Sequence, residues 1–238
     1  MDQPRPEGEV FLVNKPLTWT SFQVVKKVKW LIKAKRVGHA GTLDPLATGL
    51  LIVCTEKKTK TIPVIQDAEK EYTGTFFIGA TTPSFDLETP RDQEFDISHI
   101  TEEMVRKVFE QHIGTIMQVP PIYSAVKVDG QRAYKIARRG EVAELKAKPL
   151  VIKEFELTRY DLPEVDFRVV CSKGTYIRSL ARDIGLALGA GAHLTALCRT
   201  RIGDYFLTDA LTISDLQAKY PKPESVNSLN KSQSTGEQ

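Results

Sequence analysis

The stretch from Arg36 to Gly49, RVGHAGTLDPLATG, most narrows what this chain can become. Gly38 and Gly41 precede Asp44 and Gly49 follows it, which opens backbone conformations closed to other residues. Pro45 biases Asp44 towards extended backbone and removes one amide donor. Leu50-Leu51-Ile52-Val53-Cys54 is then an unbroken apolar run, the pattern of a buried strand. A carboxylate on a shaped loop at the mouth of a rigid sheet is a common platform for chemistry. An Asp-Pro pair that merely opens a turn has the same signature, so residue types leave both readings open.

The 238 residues suit one large domain or one and a half small ones, and 41% hydrophobic with 26% charged content is ordinary for a soluble globular protein. No apolar run reaches transmembrane length, and the N-terminal MDQPRPEG is polar, unlike a signal peptide. Cys54, Cys171 and Cys198 are odd in number and widely spaced. They give no zinc pairing and no disulfide framework, and a reducing cytoplasm is the expected setting. The formal net charge of +3 is too small to imply nucleic acid by itself, so the placement of charge matters more.

Glu9–Val13 reads as a first strand. Thr20 or Ser21 then caps a helix running to about Ala34, with Phe22, Val25, Val28 and Ile32 towards the core. Lys26, Lys27, Lys29, Lys33, Lys35 and Arg36 crowd its other surface with no acid among them. Such a face is either simply solvated or attracts a polyanion. Glu56-Lys57-Lys58-Thr59-Lys60 is another basic turn. Glu71 to Gly79 alternates as a strand, with Tyr72, Gly74, Phe76 and Ile78 on one face. A surface loop at 81–90 and a structural helix from Thr101, stopped by Gly114, follow. A helix from Gln131 to Arg139 would set Arg132, Lys135 and Arg139 along one stripe, again solvated or phosphate-tracking. Phe167–Cys171 is a strand, and Lys173-Gly174-Thr175 turns it into a helix. With Thr175 as cap, Arg178 lies in the first turn, where a cation opposes the helix dipole unless an anion is near.

Taken together, these segments resemble the TruB family of tRNA pseudouridine synthases. The resemblance rests on Asn14-Lys15-Pro16 with Thr20-Ser21, on Gly38 to Gly49, and on Tyr72 with the Gly79–Asp86 loop. It continues through Pro120 to Lys127, Cys171 to Arg178 and Gly191 to Leu197, covering about Val10 to Phe206. It implies an α+β pseudouridine synthase fold, a mixed, largely antiparallel sheet flanked by helices. The domains expected are an N-terminal arm at 1–8, a catalytic domain at 9–210, a short helix at 211–220 and a disordered tail at 221–238. The stretch after Gly203 is too short for the further C-terminal (PUA) RNA-binding domain of many members.

The activity implied is cofactor-free and metal-free isomerisation of uridine to pseudouridine at position 55, in the T loop of tRNA. Asp44 falls on the catalytic aspartate, as nucleophile or base. Tyr72 falls on the tyrosine that stacks on the base, and Arg178 on the arginine that pairs with the aspartate and keeps it ionised. His39 falls on the residue supporting flipped-out nucleotides. Lys15, Gly41, Thr42, Leu43, Asp86, Tyr176 and Leu197 join it as substrate contacts, and Lys26, Lys29, Lys33, Arg132, Lys135 and Arg139 as phosphate-tracking residues. The partner implied is the tRNA T arm, met by a cytoplasmic monomer that touches no membrane. Departures from the pattern are Leu17-Thr18-Trp19 where the family usually carries a glycine, Thr89 where a glycine is common, and Cys198 in place of a basic residue. An RNA chaperone without chemistry and a carboxylate-dependent glycoside hydrolase using Asp86 are the alternative readings.

Overall fold

The apolar run after the Asp44 loop becomes β3 (Ala47–Thr55), a strand buried on both faces. Leu51 and Val53 point into one cluster, and Leu50, Ile52 and Cys54 into another. An interior strand of this kind tolerates no polar alternation, which is why the run reads as continuous. The computed structural model describes residues 7–221, except 125, 129, 134, 135, 137, 138, 140 and 142–144. The expected arm at the extreme N-terminus and the tail after 221 lie outside the described residues.

β1 (Val10–Lys15) and β2 (Val37–His39) both pair antiparallel with β3. The remaining sheet strands are β4 (Lys70–Ile78), β7 (Gly114–Gln118), β10 (Lys148–Asp161), β11 (Glu164–Cys171), β12 (Ala192–Ile202) and β13 (Tyr205–Phe206). Two small ribbons, β5 (Ala80–Thr81) with β6 (Gln93–Glu94) and β8 (Lys127–Val128) with β9 (Gln131–Arg132), stand apart. Among the described residues the main sheet has nine strands, in the path β1-β3-β12-β4-β11-β10-β7 with β2 and β13 at its side. Every pairing is antiparallel except β3 with β12. The mixed, largely antiparallel sheet matches expectation.

α1 (Ser21–Leu31) and α5 (Ile213–Lys219) cover β1 and β3 through Val24, Val28 and Leu216. The short α2 (Ile62–Asp67) closes the opposite face through Ile65. α3 (Glu102–Gln111) and α4 (Ile177–Leu188) cover the other half of the sheet, where Phe76 stacks on Phe167 and Phe109 on Phe155. Among the described residues no helix is long and apolar enough to cross a membrane.

Three expectations need correction. α1 buries Ser21, Val24, Val25 and Val28, so Phe22 turns outward at 62% exposure and Lys26 sits over its ring. The buried stripe starts at Ser21, one position before the expected Phe22. Gln131 and Arg132, expected to open a helix, form strand β9 instead, because Lys127–Val128 supplies a pairing partner across the Gly130 turn. Arg139 sits in a turn bonded to Glu141 and Gln131, and Lys135 lies outside the described residues, as does most of the expected stripe between them. The 81–90 segment is no plain surface loop: Thr82, Ser84 and Asp86 are buried in it.

Candidate active site

Asp44 sits on a loop tied down from three sides. Leu43 N–H donates to the Ser21 hydroxyl at 2.8 Å, and that hydroxyl donates back to Leu43 O at 3.1 Å. Thr18 N–H donates to Pro45 O at 2.8 Å. Thr18 holds a φ of 69°, the left-handed region that favours glycine, within the Leu17-Thr18-Trp19 stretch where the resemblance leads one to expect a glycine. The Lys15 ammonium donates to the carbonyls of Trp19 at 2.6 Å, Pro16 at 3.0 Å and Pro45 at 3.3 Å.

Lys15 is wholly buried, and burial pulls its pKa down to about 8 against the raising field of Asp44. It acts on the site through the loop and has no surface to offer RNA, which corrects its expected role. Arg199 completes the frame from below. Its guanidinium donates to Leu50 O at 2.8 Å, Gly41 O at 3.1 Å and Thr42 O at 3.4 Å. β3 can lie this close only because Gly49 has no side chain: a Cβ there would meet Arg199 O at 2.4 Å, and its φ is 100°.

Arg178 arrives from α4. Its Nε lies 2.9 Å from Asp44 Oδ2 and 3.7 Å from Asp86 Oδ2. Its Nη2 donates to Tyr123 O at 2.9 Å and its Nη1 to Ser84 O at 3.4 Å. The side chain is 5% exposed, so four partners on three segments hold the fork in one orientation. The N-cap is Tyr176, not Thr175, and its own side chain makes no capping bond. Gln118 grips the backbone of that residue from β7. Its Oε1 accepts from Tyr176 N–H at 2.9 Å, and its Nε2 donates to Tyr176 O at 3.2 Å. Ser179 Oγ adds a bond to Val119 O at 2.9 Å. The first turn of α4 is thereby fixed to the 118–124 segment.

Burial raises the Asp44 pKa, Arg178 opposes the rise, and Asp86 and Glu88 add to it. The outcome is a carboxyl above its ordinary value, so Arg178 offsets desolvation without cancelling it. Asp44 keeps 43% side-chain exposure while protein surrounds it on most sides, which describes a group at the floor of a cleft. Asp86 is the deeper acid at 7%, and its Oδ1 accepts from Glu88 N–H at 2.9 Å. Tyr72 is almost wholly buried, and burial pushes its phenol up against the lowering effect of the Arg199 charge. Burial pushes His39 down, so it is a neutral imidazole at pH 7, and its Nδ1 is buried without a partner.

The pocket at Asp44 is lined by Leu46, Ala47, Asp86, Leu87, Arg178, Leu194, Thr195, Ala196 and Leu197. Its free volume is only about 20 Å³, room for one water, so a base enters only as lining side chains move. A larger groove of about 500 Å³ shares Leu46, Thr195, Ala196 and Leu197 as a wall, and Thr48, Thr73, Thr75 and Thr158 are among its other lining residues. The groove is roomier, but the carboxylate–guanidinium pair belongs to the small pocket, and the chemistry goes with that pair.

Of the expected contacts, Asp44, Asp86, Arg178 and Leu197 meet at this pocket. Gly41 and Thr42 hold the loop through Arg199, and Leu43 is buried in the core beside Tyr72. Tyr176 is half-buried, and burial raises its phenol pKa. Tyr72 and His39 are not among the side chains lining the pocket. Lys26, Lys29 and Lys33 are exposed on and just beyond α1. Arg199 and Gln118 were missed, since nothing local marks them: one sits in an alternating strand and the other ends a strand before two prolines.

The sequence profile described as TruB family pseudouridylate synthase, N-terminal domain, matches residues 29–177. The tRNA pseudouridylate synthase B C-terminal domain profile matches 178–230. The tRNA pseudouridine synthase B of Flavobacterium johnsoniae is 56% identical over 215 residues, covering 87% of this chain and 94% of that protein. The protein of the same name from Phocaeicola vulgatus is 57% identical over 213 residues, covering 87% and 91%. Among solved structures, a Cbf5-Nop10-Gar1 complex aligns at 31% identity with a TM-score of 0.71, over 90% of this chain and 55% of that one. An H/ACA RNP bound to a substrate RNA containing 2'-deoxyuridine aligns at 28% with a TM-score of 0.67, over 89% and 53%. This chain thus spans about half the length of those structural neighbours.

Proposed function

The chain belongs to the TruB family of pseudouridylate synthases, and from that premise we propose that it isomerises the uridine at position 55, in the T loop of tRNA, with Asp44 starting the reaction. The observation that carries this reading is the 2.9 Å pairing of a cleft-floor carboxylate with a buried, four-way anchored arginine. The uridine C1′–N1 bond breaks, the base turns within the pocket and C1′ bonds to C5. N1 gains a proton as C5 loses one, so atoms balance without a redox partner. Asp44 acts as a carboxylate, as nucleophile or base, and Arg178 holds Oδ2 so that the remaining oxygen faces the substrate.

The target base must leave its stack to reach a pocket this small. Leu46, Leu87, Leu194 and Leu197 are the apolar side chains that would repack around it. Opening the floor would bring the ring of Tyr72 against the base. A phenol raised by burial stays protonated, so Tyr72 serves by contact and hydrogen bonding rather than as a base. His39, neutral and with a free buried nitrogen, is assigned to the neighbouring nucleotides. Lys26, Lys29 and Lys33 are assigned to phosphates. The catalytic unit is taken as residues 9–210 of a cytoplasmic monomer, with α5 packed on its β1 edge.

The test is to incubate unmodified tRNA with the protein and map pseudouridine by carbodiimide-based primer extension. A signal at position 55 with wild type and none with Asp44→Asn is the expected result. Refolding of tRNA without any modified base would instead make the protein an RNA chaperone.

A further inference from the structure

At the far end of β3 the surface turns strongly basic. β3 has nine residues, so about 26 Å of extended chain separates its Asp44 end from Thr55. α1 leaves the catalytic loop at Ser21 and ends at Leu31, and the chain then turns back through 33–36 to enter β2. That turn is stitched to the 3₁₀ turn Glu56–Thr61. Glu56 N–H donates to Arg36 O at 2.9 Å, while Glu56 Oε1 accepts from Lys35 N–H at 2.6 Å and Arg36 N–H at 3.3 Å. The joined turns present Lys33, Lys35, Arg36, Lys58 and Lys60 to solvent, with Lys29 leading in from the last turn of α1.

Among the described residues none of these six cations takes part in an ion pair. Lys57 pairs with Glu7 at 2.5 Å close by, and the Glu56 carboxylate is engaged by backbone amides. Unpaired like charges repel, so a structure gains nothing from gathering them. Lys33 also has a φ of 54°, one residue past the C-cap Ile32, where glycine is the usual occupant. The chain keeps a cation at that spot against its backbone preference. Trp30, half exposed, lies under the Lys27 ammonium at 5.1 Å and adds an aromatic face beside the cations.

We propose that this ridge is a second RNA footprint, gripping phosphates of the RNA helix that leads away from the base held at Asp44. The inference rests on the RNA-modifying reading above and extends it to a surface remote from the chemistry. The ridge supplies affinity and orientation without sequence preference, since phosphates look alike along any helix.

The experiment measures binding of a T-arm stem-loop and of whole tRNA across a salt series, alongside steady-state turnover. In Lys35→Gln/Lys58→Gln/Lys60→Gln the salt slope should become shallower by about one per cation removed. Affinity near ~0.15 M salt should fall on the order of tenfold to a hundredfold for both RNAs. The loss should appear in KM rather than kcat. Lys33→Gly should raise Tm while weakening RNA binding, a pair of opposite signs that a merely structural lysine does not produce. An unchanged salt slope, or Lys33→Gly with full affinity, would overturn the footprint. A loss confined to whole tRNA would overturn the assignment to the helix adjoining the loop. If wild type bound RNA but made no pseudouridine, the catalytic reading would fail while the salt series still reported on the ridge.

Discussion

Lysine and arginine appear at both ends of β3, and they do opposite things there. At the Asp44 end, Lys15, Arg178 and Arg199 are buried, and each spends its protons on named carbonyls or carboxylates. At the Thr55 end, Lys33, Lys35, Arg36, Lys58 and Lys60 are exposed and, among the described residues, outside any ion pair. A buried cation must be paired to survive desolvation, so it becomes part of the frame and sets geometry and pKa. An exposed cation holds no geometry, but its field reaches roughly a Debye length into solvent and draws in polyanions. Substitutions at the first end should therefore change kcat and pH behaviour. Those at the second should change affinity and its salt dependence.

The largest expected effect is that of Asp44→Asn, which should abolish turnover while leaving tRNA affinity within a few-fold. Single-turnover assays with RNA in excess of its Kd separate the two. Measurable turnover in pure variant protein would break the comparison at its strongest point. Next comes Arg178→Lys. It keeps the charge but loses the planar fork held between Asp44, Tyr123 and Ser84, and a rate loss of about 10²–10³ follows if the fork is preorganised electrostatics. Near-wild-type kcat would show that charge alone suffices.

The pH profile sharpens the same contrast. Burial raises Asp44, so the acid limb of kcat should lie above the ordinary carboxylate range. Asp86 contributes to that rise, so Asp86→Asn should move the limb to lower pH. Movement the other way would mean that Asp86 acts mainly by orienting Arg178. No ridge substitution should move the limb at all.

Gln118→Leu should cost about 1–3 kcal/mol of stability, because it strands the Tyr176 N–H. It should also lower kcat more than it raises KM, since Gln118 fixes the turn that carries Arg178. Chemical denaturation and steady-state kinetics on one preparation would check both. The smallest effect is that of Thr18→Gly. It relieves a φ of 69° worth about 1–2 kcal/mol, less the entropy glycine loses on folding, for a net gain of about 1 kcal/mol or less. A drop in Tm would show that the Thr18 side chain contributes more than its backbone strain removes.

Much of this molecule could be read from its residues one element at a time. The apolar run at 50–54 became the strand at the heart of one half of the sheet. The alternation from Glu71 placed Tyr72 and Phe76 on the buried face, and Thr101 capped α3 through Met104 N–H. Arg178 in a first turn, where the helix dipole opposes it, did signal a nearby anion, and two carboxylates are there. Such inferences succeed because periodicity and capping depend on neighbours within a turn or two.

What failed depended on contacts made across the chain. Phe22 fitted a helical stripe, but the stripe's rotation is set by where β1 and β3 lie. Gln131–Arg132 became a strand because a partner strand was four residues away. Lys15 belonged to the right motif, yet burial made it a strut for the loop rather than a contact for RNA. Arg199 reaches Gly41 across a sequence separation of 158, and no local pattern carries that information. The residues by themselves determined most of the strands and helices, and which loop carries the carboxylate. Only tertiary structure decided which cations are buried as framework and which remain free at the surface. Desolvation acts on a side chain's whole surroundings, and those come into existence only once distant segments have packed.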